Sequence, residues 1–338
     1  MGFGYAVYFT ERDKNRVVRW DPDSGDVDIV AGGTKDEPDQ ALNSPYGLAF
    51  ESSGTLLVAD KLHHRICRVV NGRLVPMPLR DTEGSRTRLP DSSAGYNPTL
   101  QCPTGLFVEE EGSILCTFAD DYTIYRIQRD GTLHHLLGIL PNRNYLFHGV
   151  EESIPPGRAK NVPIRVPTGI VKRRDGTIYF IERRGPQVVR AYTPELGLRS
   201  LFPYSMYIDS ADRSTAPDRA ALLSYHPAFP SSLALDGEGV LYITEAAHGC
   251  VLKIDEKAGE VFKVINIHRP TEERGKGVAA MAFGPDGTAW ILNKAEATVE
   301  AYAPSKLGLW KPLGVNLTAV KGEALSLPVA GSGLALGI

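Results

Sequence analysis

One residue count, kept five times over, limits what this chain can fold into more than any other property. From a strand-opening position to a turn glycine it is nine residues: Pro45 to Gly54, Pro103 to Gly112, Pro167 to Gly176, Pro230 to Gly239 and Val278 to Gly287. From each glycine to the start of a third strand it is eleven, at Arg65, Thr123, Gln187, Cys250 and Thr298. Side chains alternate faces along a strand, so a single inserted residue would turn a buried set outward. A count that never slips through two turns therefore describes a rigid hairpin unit. The turn pairs Ser53-Gly54, Glu111-Gly112, Asp175-Gly176, Glu238-Gly239 and Asp286-Gly287 put glycine where a tight hairpin needs positive φ.

The second strand of each unit is a short continuous apolar run, such as Leu56-Leu57-Val58-Ala59, Ile178-Tyr179-Phe180-Ile181 or Ala289-Trp290-Ile291-Leu292. Runs of this kind belong to strands covered on both faces. A second hairpin follows in every unit, turning near Gly25, Gly72, Gly131, Gly197, Gly259 and Gly308, so each unit has four strands. Gly331 to Leu336 copies the opening of the second unit, and the chain ends before its turn. Tyr5 to Phe9 resumes where that copy stops, as a second strand. The expected architecture is an all-β, six-bladed β-propeller of four antiparallel strands per blade, with the C-terminal strand joining the N-terminal blade to close the ring and remove unpaired edges. The expected blades are 1–32 with 329–338, then 43–79, 101–138, 165–202, 228–267 and 277–313, in one domain.

Blade two, with Pro45-Tyr46-Gly47-Leu48-Ala49-Phe50, then Gly54, Ala59-Asp60 and His64-Arg65-Ile66, resembles the unit of the six-bladed NHL-repeat propellers. The wider superfamily includes gluconolactonase-like enzymes, lyases, strictosidine-synthase-like enzymes and interaction scaffolds, so the resemblance implies the fold and leaves the activity open. In the calcium-dependent lactonases of that superfamily, metal ligands include the middle residue of the P-x-G. Here those positions are Tyr46, Thr104, Thr168, Ser231, Ala279 and Ser332, none of them acidic or an amide. A hard divalent cation wants several carboxylate or carbonyl oxygens, so no metal and no cofactor is expected. Hydroxyls there can hold water or hydrogen-bond a neutral ligand.

Net charge is -3, which gives no electrostatic case for nucleic acid. No apolar stretch is long enough for a membrane span, and the first residues lack a basic start and a cleavage site; a soluble, cytoplasmic protein is expected. Cys67, Cys102, Cys116 and Cys250 show no metal or redox spacing and read as packed free thiols.

Three consecutive connections from an outer strand to the next inner strand are long, about 80–102, 139–166 and 203–229, and all must emerge on one face. They hold aromatics beside arginines, which suits a pocket for a small polar molecule or a partner protein. Tyr145, His148, Tyr207 and Tyr225 are the expected ligand contacts, together with Tyr46, Thr104, Thr168 and Ser231 at the channel throat. A packed cap without a ligand fits the same composition. Where each second strand ends, a column of Glu11, Asp60, Phe118, Glu182, Glu245 and Asn293 recurs. A carboxylate there can accept hydrogen bonds from its own loop and face the arginine five residues on, as in Glu11 with Arg16 or Asp60 with Arg65. Glu245 lacks that arginine and has His248 three residues on and His226 in the preceding loop. These three are the expected acid–base set if the chain is a metal-independent hydrolase or lyase rather than a binding propeller.

Overall fold

The structure, a computed structural model, describes residues 2–33, 37–81, 100–138, 153–162, 164–183, 187–203, 218–267, 278–293, 296, 298–304 and 310–318. The protein is a six-bladed β-propeller with six separate sheets. Blade two is formed by Pro45–Phe50, Leu56–Asp60, Arg65–Val70 and Arg73–Pro76, paired antiparallel in chain order. Blade six repeats this with Val278–Phe283, Ala289–Asn293, Thr298–Ala303 and Lys311–Thr318. The second strands of blades two to six are buried at every position, as their uninterrupted apolar sequences require when each sheet is sandwiched between two others.

Each inner strand of blades two to six opens on a β-bulge, at the P-x-G of blades two to four and at its counterparts Pro230-Ser231-Ser232 and Val278-Ala279-Ala280. Pairing shifts between Pro45 and Leu48, Pro103 and Leu106, Thr168 and Ile170, Pro230 and Ser232, and Val278 and Ala280. A bulge leaves a residue out of the ladder and re-aims its neighbours, which is how the middle residue of the motif reaches the channel wall or the adjacent blade. The glycine has a separate role. A Cβ on Gly47 would sit 2.1 Å from the Thr104 carbonyl oxygen, so only glycine lets these two inner strands approach.

Blade one and blade six complete the ring by packing. Val7, Phe9 and Trp20 share a core with Ala280, Trp290 and Val299. Trp20 and Trp290 meet edge to face at 5.5 Å, and the Tyr5 hydroxyl donates to Asp286 (2.9 Å) and accepts from Trp290 Nε1 (3.1 Å). The first blade has three strands among the described residues, Val7–Glu11, Arg16–Trp20 and Val27–Gly32. Its expected innermost strand, within 329–338, lies outside the described residues.

Blades three to five differ from the four-strand expectation by carrying a fifth strand at the perimeter. Arg80–Asp81 pairs parallel with Thr132–Leu137, Ser153–Ile154 pairs antiparallel with Gly197–Ser200, and Arg219–Ala221 pairs antiparallel with Glu260–Asn266. Each comes from a long connection, which covers the outer edge of the blade that follows it. No helix among the described residues is long and apolar enough to cross a membrane.

Candidate functional site

The pairing register sets which groups meet. Pro45 lies opposite Asp60, Pro103 opposite Phe118, Pro167 opposite Glu182 and Pro230 opposite Glu245. The end of every second strand, the start of every inner strand and the long connections thus share one end of the channel.

The carboxylate column fastens loops at that end. Asp60 accepts from Asn43 N (2.7 Å), Arg65 Nε (2.8 Å) and His63 Nδ1 (2.9 Å), while Arg16 Nε donates to Glu11. Glu182 faces Arg190 at 3.1 Å, both side chains almost fully buried. Glu245, buried completely, accepts from Ala228 N (2.7 Å), Phe229 N (2.7 Å) and Ala247 N (3.4 Å) and pairs with His248 Nδ1 at 3.0 Å. His248 stands three residues after its carboxylate, as His63 does, so this pair repeats the geometry of blade two. His226 is exposed and its Nδ1 is 3.1 Å from the Pro203 carbonyl oxygen. In blade three, where the column holds Phe118, the carboxylate moves three residues on to Asp121, which accepts from Gln101 N just as Asp60 accepts from Asn43 N. Burial pushes the Asp121 carboxyl up to about 7, with the Asp120 charge adding to the shift and the Gln101 N–H opposing it.

The hydroxyls of the throat tie blades together. Thr104 Oγ1 donates to the Pro167 carbonyl oxygen of blade four (3.0 Å), and Ser231 Oγ to that of Val278 in blade six (2.8 Å). Thr168 occupies the same place in blade four, but its buried hydroxyl has no hydrogen-bond partner among the described residues. Tyr225 packs in the core on Phe202 at 5.9 Å, and burial raises its hydroxyl pKa. Tyr145, His148 and Tyr207 lie outside the described residues.

Tyr46 is the one bulky throat residue among the described P-x-G positions. The Arg12 guanidinium carbon lies 5.2 Å from its ring centroid and Lys61 Nζ 5.4 Å from it. Arg183, from the fourth blade, donates through Nη1 to the Tyr46 hydroxyl at 2.9 Å and places its guanidinium 5.5 Å from the Phe229 ring centroid. Charged groups from blades one, two and four meet here, and elements so far apart around a ring converge only near its axis. All three cations follow the column directly: Glu11-Arg12, Asp60-Lys61, Glu182-Arg183. Their signal in the sequence is the residue one past the column.

Beside this mouth, Cys102 Sγ donates to Asp120 Oδ2 (3.0 Å) and its backbone N–H to His64 Nδ1 (3.1 Å). Burial, and then the bond to Asp120, pushes the thiol up to about 12, so it is a hydrogen-bond donor and not a nucleophile at neutral pH. All four cysteines are free and buried. Among the described residues no three His, Cys, Asp or Glu side chains cluster in a way that could hold a metal ion.

No protein-family model matches the sequence, and no curated protein matches it. Solved structures match its fold. A streptogramin B lyase aligns over 91% of this chain and 78% of its own, at 16% identity and a TM-score of 0.53. A gluconolactonase from Xanthomonas campestris aligns over 85% of this chain and 79% of its own, at 16% identity and a TM-score of 0.55. Identities this low establish the propeller and carry no activity across.

Proposed function

We propose that the chain binds a small polar molecule at the channel mouth around Tyr46, on the face where the long connections emerge. The observation that carries this reading is the Arg183 to Tyr46 hydrogen bond, made between blades four and two with Arg12 and Lys61 against the same ring. A ligand at this point touches several blades at once, and binding sites of this size use a few placed polar groups beside aromatic surface. Glu245 and His248 then act as a loop fastening, and Tyr225 supports the blade-five loop from the core. Thr104 and Ser231 hold adjacent blades. The cap residues Tyr145, His148 and Tyr207 would complete the contacts.

A metal-independent hydrolase or lyase at the same face is the second reading, favoured by Asp121, whose proton is held to near neutral pH as a general acid or base needs. The test is a thermal-shift screen of small polar metabolites against the wild type, Tyr46→Ala and Arg183→Ala, with product analysis of every hit. Hits that stabilise the wild type and lose their effect in both variants are expected. Hits indifferent to both substitutions would overturn the site, and turnover abolished by Asp121→Asn would decide for the enzyme.

A further inference from the structure

Many half-buried cations among the described residues come with carboxylates. Arg65 has Asp60, Arg68 has Glu51, Arg126 and Lys172 share Glu109, and Arg173 and Arg199 share Glu256. Arg12, Lys61 and Arg183 break this pattern. They are half-buried, two of them lie close to one phenol ring, and none has a carboxylate within salt-bridge distance among the described residues. Arg183 Nε is moreover buried without a hydrogen-bond acceptor among the described residues. Aromatic faces and the Tyr46 and Ser44 hydroxyls partly compensate these cations, and a negative group would add the charge-assisted bonds that neither ring nor hydroxyl supplies.

The register also shows the cations to be a selected set. In the sequence the same place holds Ala119 and Ala246 in blades three and five and Lys294 in blade six, so it is either a cation or a residue with nothing beyond Cβ. Solvated surface lysines and arginines would have no reason to share one repeat position, follow the buried column and lean on Tyr46 and Phe229.

Building on the proposed binding site, we infer that its ligand carries an oxyanion, a carboxylate or a phosphate, received by Arg12, Lys61 and Arg183. The planar guanidinium fork matches either group with two parallel hydrogen bonds, and Lys61 adds a point charge. The Tyr46 hydroxyl fixes Arg183 in orientation by accepting from Nη1.

The test uses the full chain and four probes at constant ionic strength: inorganic phosphate against chloride, and succinate against its neutral diamide. Calorimetric titration and melting temperature are read for the wild type, Arg183→Gln, and the double variant Arg12→Gln with Lys61→Gln. Expected is saturable binding of phosphate or succinate, with affinity falling about ten-fold or more in each variant while the apo melting temperature holds. Arg183→Lys, which keeps the charge and loses the fork, should fall between. Phosphate alone binding identifies a phosphate ligand, and succinate alone a carboxylate. Equal binding of succinate and the diamide, both weakened by Arg183→Gln, would overturn the anion and leave the mouth as the site. No probe showing binding that depends on Arg183 would overturn the inference, and Tyr46-independent hits in the metabolite screen would be needed to overturn the site itself.

Discussion

Removing the side chain of Glu245 should destabilise the fold without any reference to chemistry. Its two oxygens accept short bonds from the Ala228 and Phe229 backbone N–H groups, a longer one from Ala247, and face His248. Both short bonds are charge-assisted, and both donors are half-buried, so neither recovers full hydration when its acceptor is lost. Each such bond is worth about 1 to 2 kcal/mol, which puts Glu245→Ala at a loss of about 3 kcal/mol before the cavity is counted. Against a typical stability of about 5–15 kcal/mol this shifts a urea unfolding midpoint clearly. Glu245→Gln keeps one acceptor oxygen and points an amide N–H₂ at the second donor, so it should lose roughly half as much. Amide exchange at Ala228 and Phe229 should accelerate in both variants. An alanine variant that unfolds within about 0.5 kcal/mol of the wild type would refute the fastening role. So would a glutamine variant of full stability that loses an activity, because Glu245 would then act on a substrate.

Other outcomes follow from the same geometry. Gly47→Ala must displace the Thr104 carbonyl from the 2.1 Å it would have to the new Cβ, and a loss of at least about 3 kcal/mol is expected in thermal or urea unfolding; an unchanged midpoint would show that the inner strands are farther apart. Asp121 has its carboxyl raised from 3.8 to about 7, so the folded chain keeps a proton that the unfolded chain has released. Stability attributable to this group therefore falls as pH rises from about 4 to about 7, and Asp121→Asn should flatten the slope of unfolding free energy over that window; an unaltered slope would refute the shift. Deleting 331–338 should leave Val7–Glu11 without its expected inner neighbour and broaden or abolish cooperative unfolding, whereas a truncated chain melting like the full one would show that the termini do not share a blade.

The parts of the structure that follow from repetition were legible in the sequence. The fixed spacing located the hairpins and the fully buried second strands, and the braces from Arg16 to Glu11 and from Arg65 to Asp60 are local enough to be read five residues apart. What escaped depends on neighbours that a single unit does not contain. The fifth strands are two or three residues long, and only an open blade edge makes them strands. Thr104 and Ser231 looked like free throat hydroxyls because their acceptors, the carbonyls of Pro167 and Val278, belong to the next blade. Tyr225 looked like a loop aromatic because nothing in its surroundings along the chain announces Phe202 as a packing partner. Glu245 and His248 looked exceptional until Asp60 and His63 showed the same pairing.

The perimeter strands bear on how such a molecule can change. Residues 82–99 lie between Arg80–Asp81 and the inner strand of blade three, 139–152 between the outer strand of blade three and Ser153–Ile154, and 204–217 between the outer strand of blade four and Arg219–Ala221. Every one of these stretches is bounded on both sides by segments hydrogen-bonded into a sheet. The anchors that flank them, and with them the channel mouth, are fixed by the blades, so the entropy of chain closure, which rises only slowly with length, sets a weak limit on insertions between these anchors. In engineering terms the half-ring of blades three to five is a graft rack with three ready-made splice points.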